Sequence, residues 1–179
     1  LLTAWDAAFL QGGLTAGQTL LVHAVGSGVG TQALQLARWA GARVVGTSRT
    51  GEKLRRAQRL GLDASCSVDT SEPDWPDRVR QATGGRGVDV VLDLVGGGYA
   101  EGTLRTLAPG ARWIVVGVPS GRTAQLDFRR LMGLRATLRG TVLRSRPPEE
   151  KALLARLFED RVVPGIASGD LQPVIERVF

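Results

Sequence analysis

The sequence predicts an open, doubly wound α/β sheet of about six parallel strands with helices on both faces. Three observations carry this. Strand-like and helix-like segments alternate six times along the chain, the pattern of successive βαβ units. Several of the strand-like segments are near-continuous apolar runs, such as VDVVLDLV at 88–95 and RWIVVGV at 112–118. Such runs suit strands covered on both faces. Third, the first strand-like segment runs directly into Gly26-Ser27-Gly28-Val29-Gly30, and a helical pattern follows at once.

Taken in order, the chain opens on a helical pattern, LLTAWDAAFLQGG. Strands are expected over 19–25, 43–48, 64–68, 88–95, 112–118 and 137–143. A helix over 32–40 places Ala33, Leu36, Ala37 and Ala40 on one face and stops at Gly41, a suitable C-cap. A second helix over 52–60 repeats the arrangement, with Gly61 after it. Further helices are expected over 75–82, 99–107 and 148–162, the last with Pro148 in its first turn, where a missing N–H costs nothing. Residues 120–123 read as a polar, exposed loop. The chain ends on a strand-like run, LQPVIERVF, and begins on Leu1 inside a helical pattern. Both ends look cut, so the expectation is one domain spanning 1–179 that is a piece of a longer protein.

Composition narrows the class. With 179 residues, 43% apolar and 22% charged, the chain is long enough for one sizeable core and is neither disordered nor membrane-like. It has no apolar run of about 18 residues and no basic-then-apolar leader. One cysteine, Cys66, excludes an internal disulfide, and a reducing cytoplasm is the expected setting. One His and one Cys argue against a metal site built from this chain alone. The net charge is +6, and Arg49, Lys53, Arg55, Arg56 and Arg59 crowd one stretch with only Glu52 opposing them. This is either a solvated helix face or an anion site. No aromatics interleave with it, so nucleic-acid binding is not expected.

In a doubly wound sheet, ligands sit beyond the C-terminal strand ends, and the turn after the first strand cradles phosphate. Gly26, Gly28 and Gly30 are placed for that in a Rossmann-type domain. The spacing is not the usual G-x-G-x-x-G, whose third glycine would fall at Thr31. G-x-G-x-G also occurs where S-adenosylmethionine binds, and a plain strand-to-helix turn without ligand is the bland alternative. The end of the second strand discriminates. Enzymes binding NAD or S-adenosylmethionine commonly place an acid there for ribose hydroxyls. Here Gly46-Thr47-Ser48-Arg49-Thr50 holds no acid before Glu52. Ser48, Arg49 and Lys53 suit a 2′-phosphate instead, which points to NADP(H) and away from a methyltransferase.

With these residues in hand, the chain resembles the nucleotide-binding half of zinc-independent quinone oxidoreductases of the medium-chain dehydrogenase/reductase superfamily, most of all the p53-inducible quinone oxidoreductase-like branch. The matching stretches are LTAWDAAF, LLVHAVGSGVGTQALQLARWAGARVVGTSRT, EKLRRAQRLGLD, VDVVLDLVGGGY, LRTLAPGARWIVVGVPSG and LRGTVLRSRPPEEKALLARLFEDRVVP. The resemblance implies a bilobal enzyme whose N-terminal catalytic half and short C-terminal return lie outside this chain. It implies hydride transfer from NADPH to a quinone or to the activated double bond of an unsaturated carbonyl, without zinc. By position it implies Thr3 near the nicotinamide and Ser27, Gly28 and Val29 at the pyrophosphate. It implies Ser48, Arg49 and Lys53 at the 2′-phosphate, and Val95 and Gly96 at the adenosine and its ribose. Gly117 and Val118 would lie near the nicotinamide ribose, with Leu143 and Arg144 edging the cofactor. Many relatives carry a Tyr near the third strand, where Val68 stands here. The superfamily also implies a homo-oligomer paired through the last strand, an exposed edge of the kind that invites pairing.

Other residues invite competing readings. His23 is the only histidine and reads as a structural residue rather than a general acid. Asp93 is placed to contact ribose or to cap a helix. Cys66 reads as core, and the four tryptophans, Trp5, Trp39, Trp75 and Trp113, as packing. Arg144 and Arg146 read as solvated if they contact no cofactor. No Lys follows Tyr99 at the spacing of a short-chain reductase, since residue 103 is Thr. A non-catalytic redox-sensing module is the remaining alternative to an enzyme.

Overall fold

In the computed structural model, which describes residues 1–174, the sheet is six-stranded and parallel throughout. Its strands are β1 (Thr19–Val22), β2 (Arg43–Ser48), β3 (Ser67–Asp69), β4 (Val88–Asp93), β5 (Leu107–Val115) and β6 (Thr137–Gly140). They lie in the order β3-β2-β1-β4-β5-β6. The order reverses between β1 and β4, which sets the ligand crevice beyond their C-terminal ends. Every residue of β1 and β4 is buried, as apolar runs covered on both sides require.

The helices are α1 (Leu2–Trp5), α2 (Gly28–Trp39), α3 (Gly51–Arg59), α4 (Trp75–Ala82), α5 (Ala100–Thr106), α6 (Phe128–Leu134), α7 (Pro148–Arg161) and α8 (Val163–Ala167). α1 widens into a π-helical segment, Asp6–Gln11. α6 and α8 were not legible in the pattern. Pro148 occupies the first turn of α7, as expected. Trp5 packs edge-on against Phe158 of α7.

Five of the six strands differ in their bounds from the sequence reading, β4 by ending at Asp93 rather than at residue 95. β1 leaves the regular ladder after Val22 because Ala24 takes φ +53. His23 and Val25 still donate their amides to Leu92 and Thr47. The third strand starts late because the Asp63 carboxylate accepts from the Ser65 amide at 2.8 Å and winds Ala64–Cys66 into a 3-10 turn. β5 begins earlier than expected, at Leu107, through an irregularity opposite Val88 and Val90. β6 stops at Gly140. At the C-terminal run, Leu171 to Val174 form no strand and residues 175–179 lie outside the described residues.

Candidate cofactor site

A groove of about 230 Å³ opens beyond the C-terminal ends of β1, β2 and β4. Ala24 and Ser27 floor it, Ser48, Arg49, Thr50 and Lys53 form one rim, and Leu94, Val95, Tyr99, Pro119 and Ser120 form the other. Two of its lining residues are cationic and none is a carboxylate. It therefore gathers Ser27, Ser48, Arg49, Lys53 and Val95 from the sequence-derived set.

The three glycines of the loop do three different things. A Cβ on Gly30 would lie 2.5 Å from the Ala24 carbonyl and 2.8 Å from the Val25 Cα, so Gly30 lets α2 pack onto the end of β1. Gly26 makes room for Lys53, whose Cβ would be 2.7 Å away. A Cβ on Gly28 meets nothing within 4 Å; this glycine faces open space at the start of α2, beside Val29. The packing glycine is the third of the usual fingerprint. Counting back from Gly30 puts the first two fingerprint positions at Val25 and Ser27. The G-x-G-x-G reading was thus out of register. Ser27 caps α2, its Oγ accepting from the Gly30 amide at 3.0 Å, which is what a serine at an N-cap does.

On the basic rim, Ser48 is 6% exposed and its Oγ accepts from the Thr50 amide at 3.3 Å. Arg49 and Lys53 are exposed. Val68, at the position where relatives carry a tyrosine, is buried in β3 and does not line the groove. An aromatic residue comes from elsewhere: Tyr99, after β4, with its hydroxyl 2.5 Å from Thr70 Oγ1. The sequence reading missed Tyr99 and Ser120; the Gly96-Gly97-Gly98 run before Tyr99 was the available signal.

Gly96 and Val118 sit together, since a Cβ on Gly96, at φ +87, would be 2.6 Å from the Val118 Cα. Both line a second, apolar cavity of about 210 Å³ that Trp113, Val115, Leu126 and Leu138 also line. Gly117 lies beside Leu94. Thr3 on α1, and Leu143 and Arg144 after β6, line neither cavity. Arg144 is exposed, and its carbonyl accepts from Lys151 Nζ at 2.7 Å. Arg146 is not solvated. Its guanidinium grips Asp6 with two bonds, at 3.1 and 2.6 Å, and Asp6 is 1% exposed.

Asp93 caps no helix and is fully buried. One oxygen accepts from the amides of Val95 and Gly96, both at 2.8 Å, and the other from Trp113 Nε1 at 2.9 Å. His23 is also fully buried, its ring nitrogens each 2.9 Å from a hydroxyl, Thr47 and Thr103. Trp75 and Tyr99 meet its ring edge-on. Burial pushes the His23 pKa down to about 4, with the Asp93 charge partly opposing. It is a neutral structural residue at neutral pH. Cys66 is buried, as read. Trp39, in contrast, is 44% exposed.

Residues 28–159 match the family described as zinc-binding dehydrogenase. The chain belongs to that family. It is the nicotinamide-nucleotide-binding domain of a medium-chain oxidoreductase, which removes the methyltransferase alternative. Mycoketide-CoA synthase of Mycobacterium tuberculosis is 35% identical over 149 residues, covering 82% of this chain and 4% of that protein. Three solved structures are similar. An NAD-dependent alcohol dehydrogenase is 37% identical with a TM-score of 0.83, covering 97% of this chain and 47% of that one. The nucleotide-binding subdomain of the enoylreductase domain of PpsC from M. tuberculosis is 30% identical with a TM-score of 0.81, covering 97% and 95%. A mycobacterial quinone oxidoreductase is 31% identical with a TM-score of 0.81, covering 96% and 52%. This zinc-binding dehydrogenase domain brings no three His, Cys, Asp or Glu side chains together for a metal among the described residues. Among them, too, no helix is long and apolar enough to cross a membrane.

Proposed function

We propose that the chain is the NADP(H)-binding domain of a zinc-independent reductase that delivers hydride to a quinone or to the activated double bond of an unsaturated carbonyl. The observation that carries the cofactor choice is the groove rim: Arg49 and Lys53 with Ser48 and no carboxylate. An acid there would repel a 2′-phosphate, whereas a guanidinium offers it charge-assisted bonds. The open face at Gly28 leaves space for a pyrophosphate against the start of α2, where free amides and the helix dipole favour anions. Bound NADPH would supply the hydride. Ser27, Gly28 and Val29 would hold its pyrophosphate, and Ser48, Arg49 and Lys53 its 2′-phosphate. Val95 and Gly96 would flank the adenosine. Gly117, Val118 and Thr3 would lie toward the nicotinamide, with Leu143 and Arg144 at the edge.

The acceptor class is supported by the relatives. One similar structure is named for an enoylreductase domain and another for a quinone oxidoreductase. The remaining walls of such a pocket would come from outside this chain. A second copy of the protein, paired along the β6 edge, is part of the same proposal.

Titration of the full-length protein and Arg49→Ala with NADPH and NADH tests the reading. A charge-assisted bond contributes about 1.5–3 kcal/mol, roughly 10- to 150-fold in affinity. Ser48 and Lys53 would retain part of the site, so NADPH should weaken about 10-fold and NADH hardly at all. Equal losses for the two nucleotides would refute the 2′-phosphate assignment. Turnover of the full-length protein with a quinone or an enone separates an enzyme from a redox sensor.

A further inference from the structure

Asp93 is a fully buried carboxylate that the proposed chemistry does not use. Its surroundings show what it does. Two successive amides, Val95 and Gly96, converge on one of its oxygens. Such a pair of N–H groups forms an anion-binding concavity, and here the chain fills it with its own side chain. Gly96 makes the geometry accessible through its φ of +87. The other oxygen takes Trp113 Nε1 from β5. The Asp93 carbonyl accepts from the amides of Val116 and Gly117, at 2.8 and 3.3 Å. One residue thus ties down the turn after β4 and the exit from β5.

That turn is a wall of the groove. Val95 and Tyr99 line it, and the Tyr99 amide bonds back to the Gly96 carbonyl at 2.9 Å. From the front, Ser120 donates its amide and its hydroxyl to the Val95 carbonyl, at 2.9 and 2.8 Å. Without the carboxylate, the buried Gly96 amide and the half-buried Val95 amide would both lose their acceptor, a cost that relaxation of the turn would relieve.

We infer that Asp93 is a positioning residue for the cofactor groove: it holds the turn in the one arrangement that sets Val95 and Tyr99 against the bound nucleotide. The inference rests on the proposed function. Its signature differs from that of the basic rim, because the wall meets the parts that NADPH and NADH share.

The test is Asp93→Ala and Asp93→Asn in the full-length protein, with both nucleotides titrated well below the melting temperature and the melting temperature recorded separately. Asp93→Ala should weaken NADPH and NADH alike, by about 10-fold. Asp93→Asn keeps an oxygen for the two amides but turns its N–H₂ toward the Trp113 donor. It should lose melting temperature yet keep both affinities within about threefold. Asp93→Ser, with room for a water, carries the same expectation as Ala if the alanine variant does not fold. Unchanged affinities in the folded Ala or Ser variant would overturn the inference. So would an Asn variant as impaired in binding as Ala, or a loss confined to NADPH. If the unaltered protein bound neither nucleotide, the proposed function itself would fall, and this inference with it.

Discussion

His23 makes the stability of this domain depend on pH in a defined window. In the unfolded chain it titrates near the ordinary histidine value of 6.5, whereas burial pushes it down to about 4 in the folded domain. Between those values the unfolded state binds a proton that the folded state refuses. Stability contributed by neutral His23 is therefore present above the unfolded pKa and lost as pH falls toward the folded one. From about pH 7.5 to about pH 5, linkage gives a loss of ~2 kcal/mol. For a domain of this size that corresponds to a melting temperature lower by roughly 4–8 °C. Asp63 and Asp69, whose carboxyls are held below the usual value by hydrogen bonds from Ser65 and Ser71, lose their contributions only below this window. The comparison is denaturant unfolding of the protein and of His23→Gln at a series of pH values. Gln does not titrate, so whatever its own stability, its curve should be flatter across the window by that ~2 kcal/mol. Parallel curves would refute the reasoning, as would an imidazolium signal from His23 in the native state at about pH 6.

Three further outcomes are expected. Gly28→Val should fold normally, since its side chain meets open space, but should lose nucleotide affinity; Gly30→Val should not fold, and circular dichroism with a binding titration separates the two. Arg146→Met should cost about 3–5 kcal/mol by stranding the buried Asp6 carboxylate, and adding Asp6→Leu should recover most of it; a loss under about 1 kcal/mol in denaturant unfolding would mean the pair is a surface contact. We propose that the full-length protein pairs through the β6 edge, where all four strand residues are exposed and Phe128 and Met132 of α6 stand 69% and 76% exposed; it should sediment as a homo-oligomer that Phe128→Glu with Met132→Glu dissociates, and a monomer at micromolar concentration would count against this.

What the sequence disclosed and what it withheld follow the range of the interactions involved. The alternation of strands and helices was readable because apolar runs and glycine turns are local signals. So was the basic rim, where Ser48, Arg49 and Lys53 lie within six positions of one another. The glycine loop was read as a cradle but in the wrong register, because spacing alone does not say which glycine meets backbone and which meets solvent. Gly30 declares itself only through Ala24 and Val25. The partners of Asp93 were not legible: its indole donor is 20 residues on in β5. The partner of Arg146 is 140 residues away, so a buried clamp looked like a solvated charge. Tyr99 was passed over because an aromatic residue was sought beside β3, whereas the fold brings one there from the far side of β4.

Under the proposed function, these two kinds of contact would give the groove two separable properties. Arg49 and Lys53 act from exposed positions, so they remain hydrated in the free protein, and their pull on a 2′-phosphate is open to screening by salt, whose Debye length is about 8 Å at physiological strength. The Asp93 turn acts from a site without solvent, through hydrogen bonds that added salt does not reach. If the proposed function holds, selectivity between NADPH and NADH belongs to the rim, and placement of the nucleotide belongs to the turn. Raising the ionic strength should draw the two affinities together by weakening NADPH while leaving NADH nearly constant. Removing the carboxylate should lower both and leave their ratio in place. A groove whose selectivity and placement both came from the rim would lose the two together in salt, and one whose selectivity lay in the buried turn would keep it there.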